Sequence, residues 1–228
     1  MTIREIVYEF LEQHSAGIPT DDTRLRPRRV YSAVKAARAR ILADASERGP
    51  LSEYNYTTLG CVPLVQTSAH ECGCIQKGTC RYYKTKCKLP QTVTANDKLI
   101  RSVTTPDGSI QFSQISWERV KYSEYDSFTA SNPKYFVRNG YLYLINVPED
   151  LTIITVTGLF EDILDLSSDC YKCEQTDCTS ALDKEFSIDR KYVPRLHELT
   201  RFMLFGVQGK NDKTNDGKEE NADNRIKT

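Results

Sequence analysis

The stretch KYFVRNGYLYLINV, Lys134 to Val147, leaves this chain little conformational choice. Asn139-Gly140 stands between two runs of β-branched and aromatic residues. A two-residue type I′ turn needs positive φ at both central positions, which Asn and Gly tolerate and other residues resist. The stretch therefore predicts a β-hairpin. A second hairpin is predicted from KLIRSV (98–103) and SIQFSQI (109–115), joined through Thr105-Pro106-Asp107-Gly108, where Pro presets one turn angle and Gly accepts a positive one. LTIITVTGLF, Leu151 to Phe160, adds another β-prone run, and all of these strands are expected to pair in one antiparallel sheet.

Helical periodicity flanks the β-prone part. Ile3, Ile6, Val7, Phe10 and Leu11 recur as one buried stripe, with Thr2 and Glu5 at capping-box spacing and Gly17 and Pro19 beyond the end. Pro27 suits the first turn of a longer helix carrying Val30, Val34, Ala37 and Ile41, which Gly49-Pro50 stops. Tyr192, Leu196, Leu199 and Met203 make a third stripe, with Asp189 as cap and Gly206 and Gly209 weakening its end. Residues 51–97, rich in Thr, Tyr, Cys and Lys, read as irregular, and SWERVKYSEYDS from Ser116 fits a helix or a strand.

The fold predicted from these pieces is α+β. Its helical core comprises an N-terminal helical hairpin (1–50) and a C-terminal helix (181–208). An antiparallel β subdomain with Cys-rich flanks (51–180) is inserted between them and projects from the helices. From Gly209 onward the tail carries five basic and five acidic residues and almost no aliphatic ones. Such a segment cannot bury enough surface to offset its ordering entropy, so 209–228 is expected to be flexible.

Charge narrows the partners. Lys plus Arg and Asp plus Glu number 31 each in 228 residues, so no overall field draws the chain to nucleic acid or to an anionic membrane. No run of apolar residues approaches eighteen and no signal peptide is visible. The expected setting is a reducing cytoplasm, where persistent disulfides are not expected.

Two cysteine clusters stand out. HECGCIQKGTCRYYKTKC holds His70, Cys72, Cys74, Cys80 and Cys87, and CYKCEQTDC holds Cys170, Cys173 and Cys178. Cys170-x-x-Cys173 has the spacing that lets two thiolates reach one tetrahedral zinc, and the other cysteines can complete that site or build a second. Only one half has the two-residue spacing that strong zinc modules repeat. Structural zinc, a disulfide in the mature protein, and reduced packed thiols all remain open.

Nothing points to catalysis. His70 and Glu71 are adjacent, without the intervening residue of the zinc deaminase signature. Gly-rich phosphate loops, nucleophile elbows and His-Glu-x-x-His are missing from the sequence, and His14, His70 and His197 are scattered. The Glu161-Asp162 pair reads as a turn or contact. The basic run is more informative: seven Arg or Lys and no acid lie between Arg24 and Arg40, with Arg28, Lys35 and Arg38 near one helical stripe. That stripe is either a solvated helix face or a surface that meets phosphates or an acidic partner subunit, and exposed charges of this kind are expected to matter little to folding.

The order of these parts, RPRRVYSAVKAARARIL, then KTKCKLP, YFVRNGYLYLINV, TVTGLFEDI and DKEFSIDRKYVPRLHELTRFMLF before the charged tail, resembles the head-to-tail connector or ring proteins of tailed bacteriophages, most closely those of crAss-like phages. The resemblance implies a non-enzymatic virion protein in the neck, assembled in the host cytoplasm as a closed ring of about twelve copies, the number set by a portal's symmetry. Its implied partners are itself, the portal protein, other neck or tail proteins and, transiently, genomic DNA in the channel, with no membrane. It carries over no catalytic residue. The rival reading is a zinc-stabilised nucleic-acid-binding regulatory module built on the cysteines and the basic helix.

Overall fold

The computed structural model describes residues 1–14, 25–67, 82–93, 100–122, 125, 128–148, 150–162 and 181–206. The two N-terminal helices form where periodicity places them, α1 at Ile3–His14 and α2 at Pro27–Arg48. The capping box closes as its spacing requires: the Glu5 N–H donates to Thr2 Oγ1 at 3.2 Å and the Thr2 N–H donates to Glu5 Oε2 at 2.7 Å. The third helix, α3, is Val193–Phe205, ended by Gly206 in the left-handed conformation. Asp189 caps the short 3-10 turn that leads into it, accepting from the Lys191 N–H.

The strands are β1 (Thr57–Gln66), β2 (Tyr83–Thr85), β3 (Ile100–Thr104), β4 (Gln111–Gln114), β5 (Lys134–Arg138), β6 (Tyr141–Ile145) and β7 (Ile153–Gly158). They close into a barrel in the order β1-β2-β6-β5-β4-β3-β7. The predicted turn holds β5 to β6 in register from Lys134↔Ile145 to Arg138↔Tyr141, with Asn139 at φ 54° and Gly140 at φ 80°. β4 and β5 are the parallel neighbours, so the chain between them must cross over. In the ambiguous SWERVKYSEYDS stretch, Trp117–Tyr122 form a 3-10 turn at the start of that crossover.

The crossover explains why the β5–β6 hairpin is apolar on both faces. Tyr135, Leu142 and Leu144 point into the barrel, whereas Phe136, Tyr143 and Ile145 point out and are covered by Trp117 and Val120. Phe136 stacks on Tyr143 with ring centres 4.9 Å apart, and the Arg138 guanidinium lies 4.3 Å over Trp117. An outward aromatic face with no cover would be unfavourable in water; here it becomes a second small core.

The predicted helical core with a projecting β subdomain is not what forms. Leu59, Val62, Val103, Phe112, Leu142, Leu144, Ile154 and Val156 inside the barrel share one hydrophobic cluster with Ile6, Phe10, Val34, Ile41, Phe186 and Leu196. The closed seven-stranded barrel is the body of the protein, and the three α-helices among the described residues plug one end of it. The error lies in residues 51–97, read as irregular, which contain β1 and β2. Gly60 and Pro63 interrupt the β1 pattern. Yet the register slips between Leu59 and Val62, a β-bulge that absorbs Gly60-Cys61 and returns both Leu59 and Val62 to the interior. Pro63 lacks a donor, but its carbonyl accepts from the Lys86 N–H at 2.8 Å.

Candidate functional site

The basic helix divides once it is placed on the barrel. Arg38 is fully buried at the middle of α2. Its Nη1 donates to the Phe160 carbonyl at 2.7 Å, its Nε to that of Ser187 at 2.8 Å and its Nη2 to that of Asn55 at 3.3 Å. These carbonyls belong to the chain just after β7, just before α3 and just before β1. One guanidinium therefore ties α2 to three separate segments at the plugged end of the barrel. Burial lowers the Arg38 pKa to about 10, opposed by the nearby Tyr31 and Asp162. The expectation that Arg38 serves a surface and not the fold is overturned.

Lys35 is also engaged inside the molecule. Its Nζ lies 2.9 Å from Asp162 Oδ2, and the Tyr31 hydroxyl donates to Asp162 Oδ1 at 2.7 Å. Asp162, half of the acidic pair read as a turn or contact, is thus the anchor of α2 beyond the last strand. Arg28 is the member of the predicted stripe that faces solvent, together with Arg26, Arg29 and Arg40 of the same run.

Two unlike surfaces remain. Beside Arg28, at the plugged end, a hollow of about 210 Å³ is floored by Val7, Pro27, Tyr31 and Leu182 and bordered by Tyr8. Arg4, which also lines it, is held by Asp183 at 3.0 Å. The crossover before β5 presents Tyr122, Tyr125 and Phe128, the last 95% exposed. Its following residues are fixed: Asn146 Nδ2 donates to the carbonyls of Ala130 at 2.6 Å and Asn132 at 3.0 Å. Exposed aromatics close in sequence to anchored residues fit the profile of an interface, and composition alone gave no sign of them.

A third feature joins α1 to α3. Phe10 lies between His14 and His197, 4.4 Å and 6.0 Å from their ring centres, and His14 meets Phe205 edge-on at 5.5 Å. Burial, with Arg201 and His197 adding to it, lowers the His14 pKa. His14 and His197, read as scattered, are therefore neighbours.

Of the cysteines, Cys87 is disulfide-bonded, and so is Cys61, which the two-cluster reading passed over. Both contradict the expectation that disulfides do not persist, and an oxidised Cys87 is no zinc ligand. Cys72, Cys74, Cys80, Cys170, Cys173 and Cys178, with His70, lie outside the described residues. Among the described residues no group of three His, Cys, Asp or Glu is placed to hold a metal ion, and no helix is long and apolar enough to cross a membrane.

Comparison with known proteins gives one consistent answer. Over 235 aligned residues, covering 99% of this chain and 100% of its relative, the sequence is 26% identical to ring protein 2 of Bacteroides phage crAss001. Residues 5–224 match the family model described as phage tail ring protein 2, a span that takes in the described strands and all but the first two residues of the described α-helices. The chain belongs to the phage tail ring protein 2 family.

Proposed function

We propose that the protein is a structural component of the virion that forms a closed connector ring below the portal, extends the DNA channel and offers a platform for the tail. The observation that carries this reading is the family match along nearly the full chain. The two unlike surfaces support it. A ring is built from head-to-tail contacts, in which one patch of a subunit meets a different patch of the next and the rotation per subunit closes the circle. The exposed Tyr122, Tyr125 and Phe128 and the Arg28-bordered hollow are such a pair, exposed aromatics and an apolar recess of about 210 Å³. Their occupant is a second copy of this chain, and about twelve copies would follow the portal's symmetry. The role is non-enzymatic.

Three of the residues on which a nucleic-acid-binding module would be built are committed elsewhere, Lys35 to Asp162, Arg38 to three carbonyls and Cys87 to a disulfide. Purified full-length protein mixed with portal rings tests the choice. Negative-stain images of closed rings stacked on portals support the connector. Monomers that bind duplex DNA with a steep salt dependence and ignore portals contradict it.

A further inference from the structure

Asn139-Gly140, which turns the chain from β5 into β6, is the one Asn-Gly pair in the sequence. Asparagine followed by glycine is the pair most open to attack by its own backbone, because no Cβ shields the next amide nitrogen. Both residues are exposed, so water reaches them. The conformation opposes the reaction. Asn139 at φ 54° and Gly140 at φ 80°, set between the paired Arg138 and Tyr141, make a two-residue type I′ turn. In that turn the Asn139 ψ angle stays in the left-handed well, which points the Gly140 nitrogen away from the side-chain carbonyl carbon it would have to reach.

Leaving that well moves Gly140, and Gly140 is held. Its carbonyl accepts from the N–H of the buried Leu89 at 2.7 Å. Behind it the hairpin is kept in register from Lys134↔Ile145 to Arg138↔Tyr141, with the Phe136 ring stacked on Tyr143.

We propose that Asn139 is a self-modification site that the folded barrel holds in check and the unfolded chain does not, and that its main product can no longer close the hairpin. The Gly140 nitrogen, giving its proton to solvent, bonds to the Asn139 side-chain carbonyl carbon. The bond from that carbon to the side-chain nitrogen breaks, and ammonia leaves with a proton from water. Water then opens the resulting succinimide at either carbonyl. The net reaction consumes one water and releases one ammonia. Opening at the side-chain carbonyl gives an ordinary aspartyl residue, which also suits a type I′ turn before glycine. Opening at the main-chain carbonyl gives an isoaspartyl residue, which routes the backbone through the side chain and adds one atom between Arg138 and Tyr141. A register lost here exchanges Tyr135, Leu142 and Leu144 inside the barrel with Phe136, Tyr143 and Ile145 outside it.

The test incubates full-length protein at mildly alkaline pH, folded in buffer or unfolded in urea, and follows the peptide holding Asn139 by mass spectrometry with separation of aspartyl and isoaspartyl forms. Loss of Asn139 should be at least about tenfold slower in the folded protein, since it must wait for local opening of the hairpin. The urea samples are then diluted into buffer, a time-zero sample setting the refolding yield, and folded protein is isolated by size exclusion. Isoaspartyl chains should be depleted from the folded fraction, while Asn139→Asp refolds and melts like the parent. Equal rates with and without urea overturn the protection, and an intact Asn139 in urea overturns the site. Isoaspartyl chains as frequent in the folded fraction as before dilution, or an Asn139→Asp variant that fails to fold, overturn the assignment of the damage to the lengthened backbone.

Discussion

Arg38 Nη1 donates to the Phe160 carbonyl at 2.7 Å, joining the middle of the longest described helix to the chain leaving the last strand of the barrel. With its bonds to Ser187 and Asn55, it makes one side chain the meeting point of helix, sheet and C-terminal segment. Arg38→Ala strands three carbonyls and opens a cavity, so the expected loss is about 3–5 kcal/mol. Arg28→Ala, on an exposed position of the same helix, changes stability by less than about 0.5 kcal/mol. Chemical denaturation of the two variants checks the contrast, and similar effects would mean that the buried hub is not what holds the helix to the barrel.

Acid should weaken the seam between α1 and α3. The folded His14 pKa lies below its ordinary 6.5 because of burial and the adjoining Arg201 and His197. The unfolded chain therefore takes up this proton first. Stability is full above the ordinary value and is lost as pH falls through the folded value. Glu9, 3.9 Å from His197, is the acidic group facing the cluster and softens the loss. Thermal melts from about pH 7.5 to about pH 5 should show a decline that His14→Gln flattens.

The exposed aromatics of the crossover before β5 should serve association and not folding. Phe128→Asp removes the most exposed large apolar side chain and adds a charge to the proposed contact. Stability should stay within about 0.5 kcal/mol of the parent, while ring formation on portals falls sharply. Sedimentation with and without portal rings distinguishes the two effects. A variant that assembles normally would remove this loop from the interface.

Deleting residues 210–228 should leave a folded, soluble protein that binds portal rings poorly, because each subunit would lose one tethered contact of many that act together. Equal binding by the shortened chain would leave the tail without a docking role.

Local chemistry was legible where one short segment decides its own conformation. Asn139-Gly140 dictated a hairpin, Thr2 and Glu5 a helix start, and the apolar periods three helices, all of which form. The barrel was not legible, because closure depends on β1 and β2, and Gly60 and Pro63 disguise β1 as a loop. Their meaning appears only when β7 and Lys86 are beside them, supplying the bulge register and the partner for the Pro63 carbonyl. Arg38 was misplaced for a related reason. A helical stripe cannot reveal that three carbonyls from distant segments will converge on one of its members. Cys61 escaped notice as a cysteine outside the clusters, and it changes their arithmetic. With it, five cysteines fall within 61–87 and three within 170–178, both odd, so complete oxidation requires at least one bond between the groups.

Cryo-electron microscopy of the intact virion, focused on the portal vertex, puts the connector reading to its most direct trial. The predicted result is a closed ring of about twelve copies below the portal, each a seven-stranded barrel plugged by helices, with the Phe128 loop of one copy against the Arg28-bordered hollow of the next. Finding the chain elsewhere in the particle, or as isolated copies that do not touch one another, would contradict it.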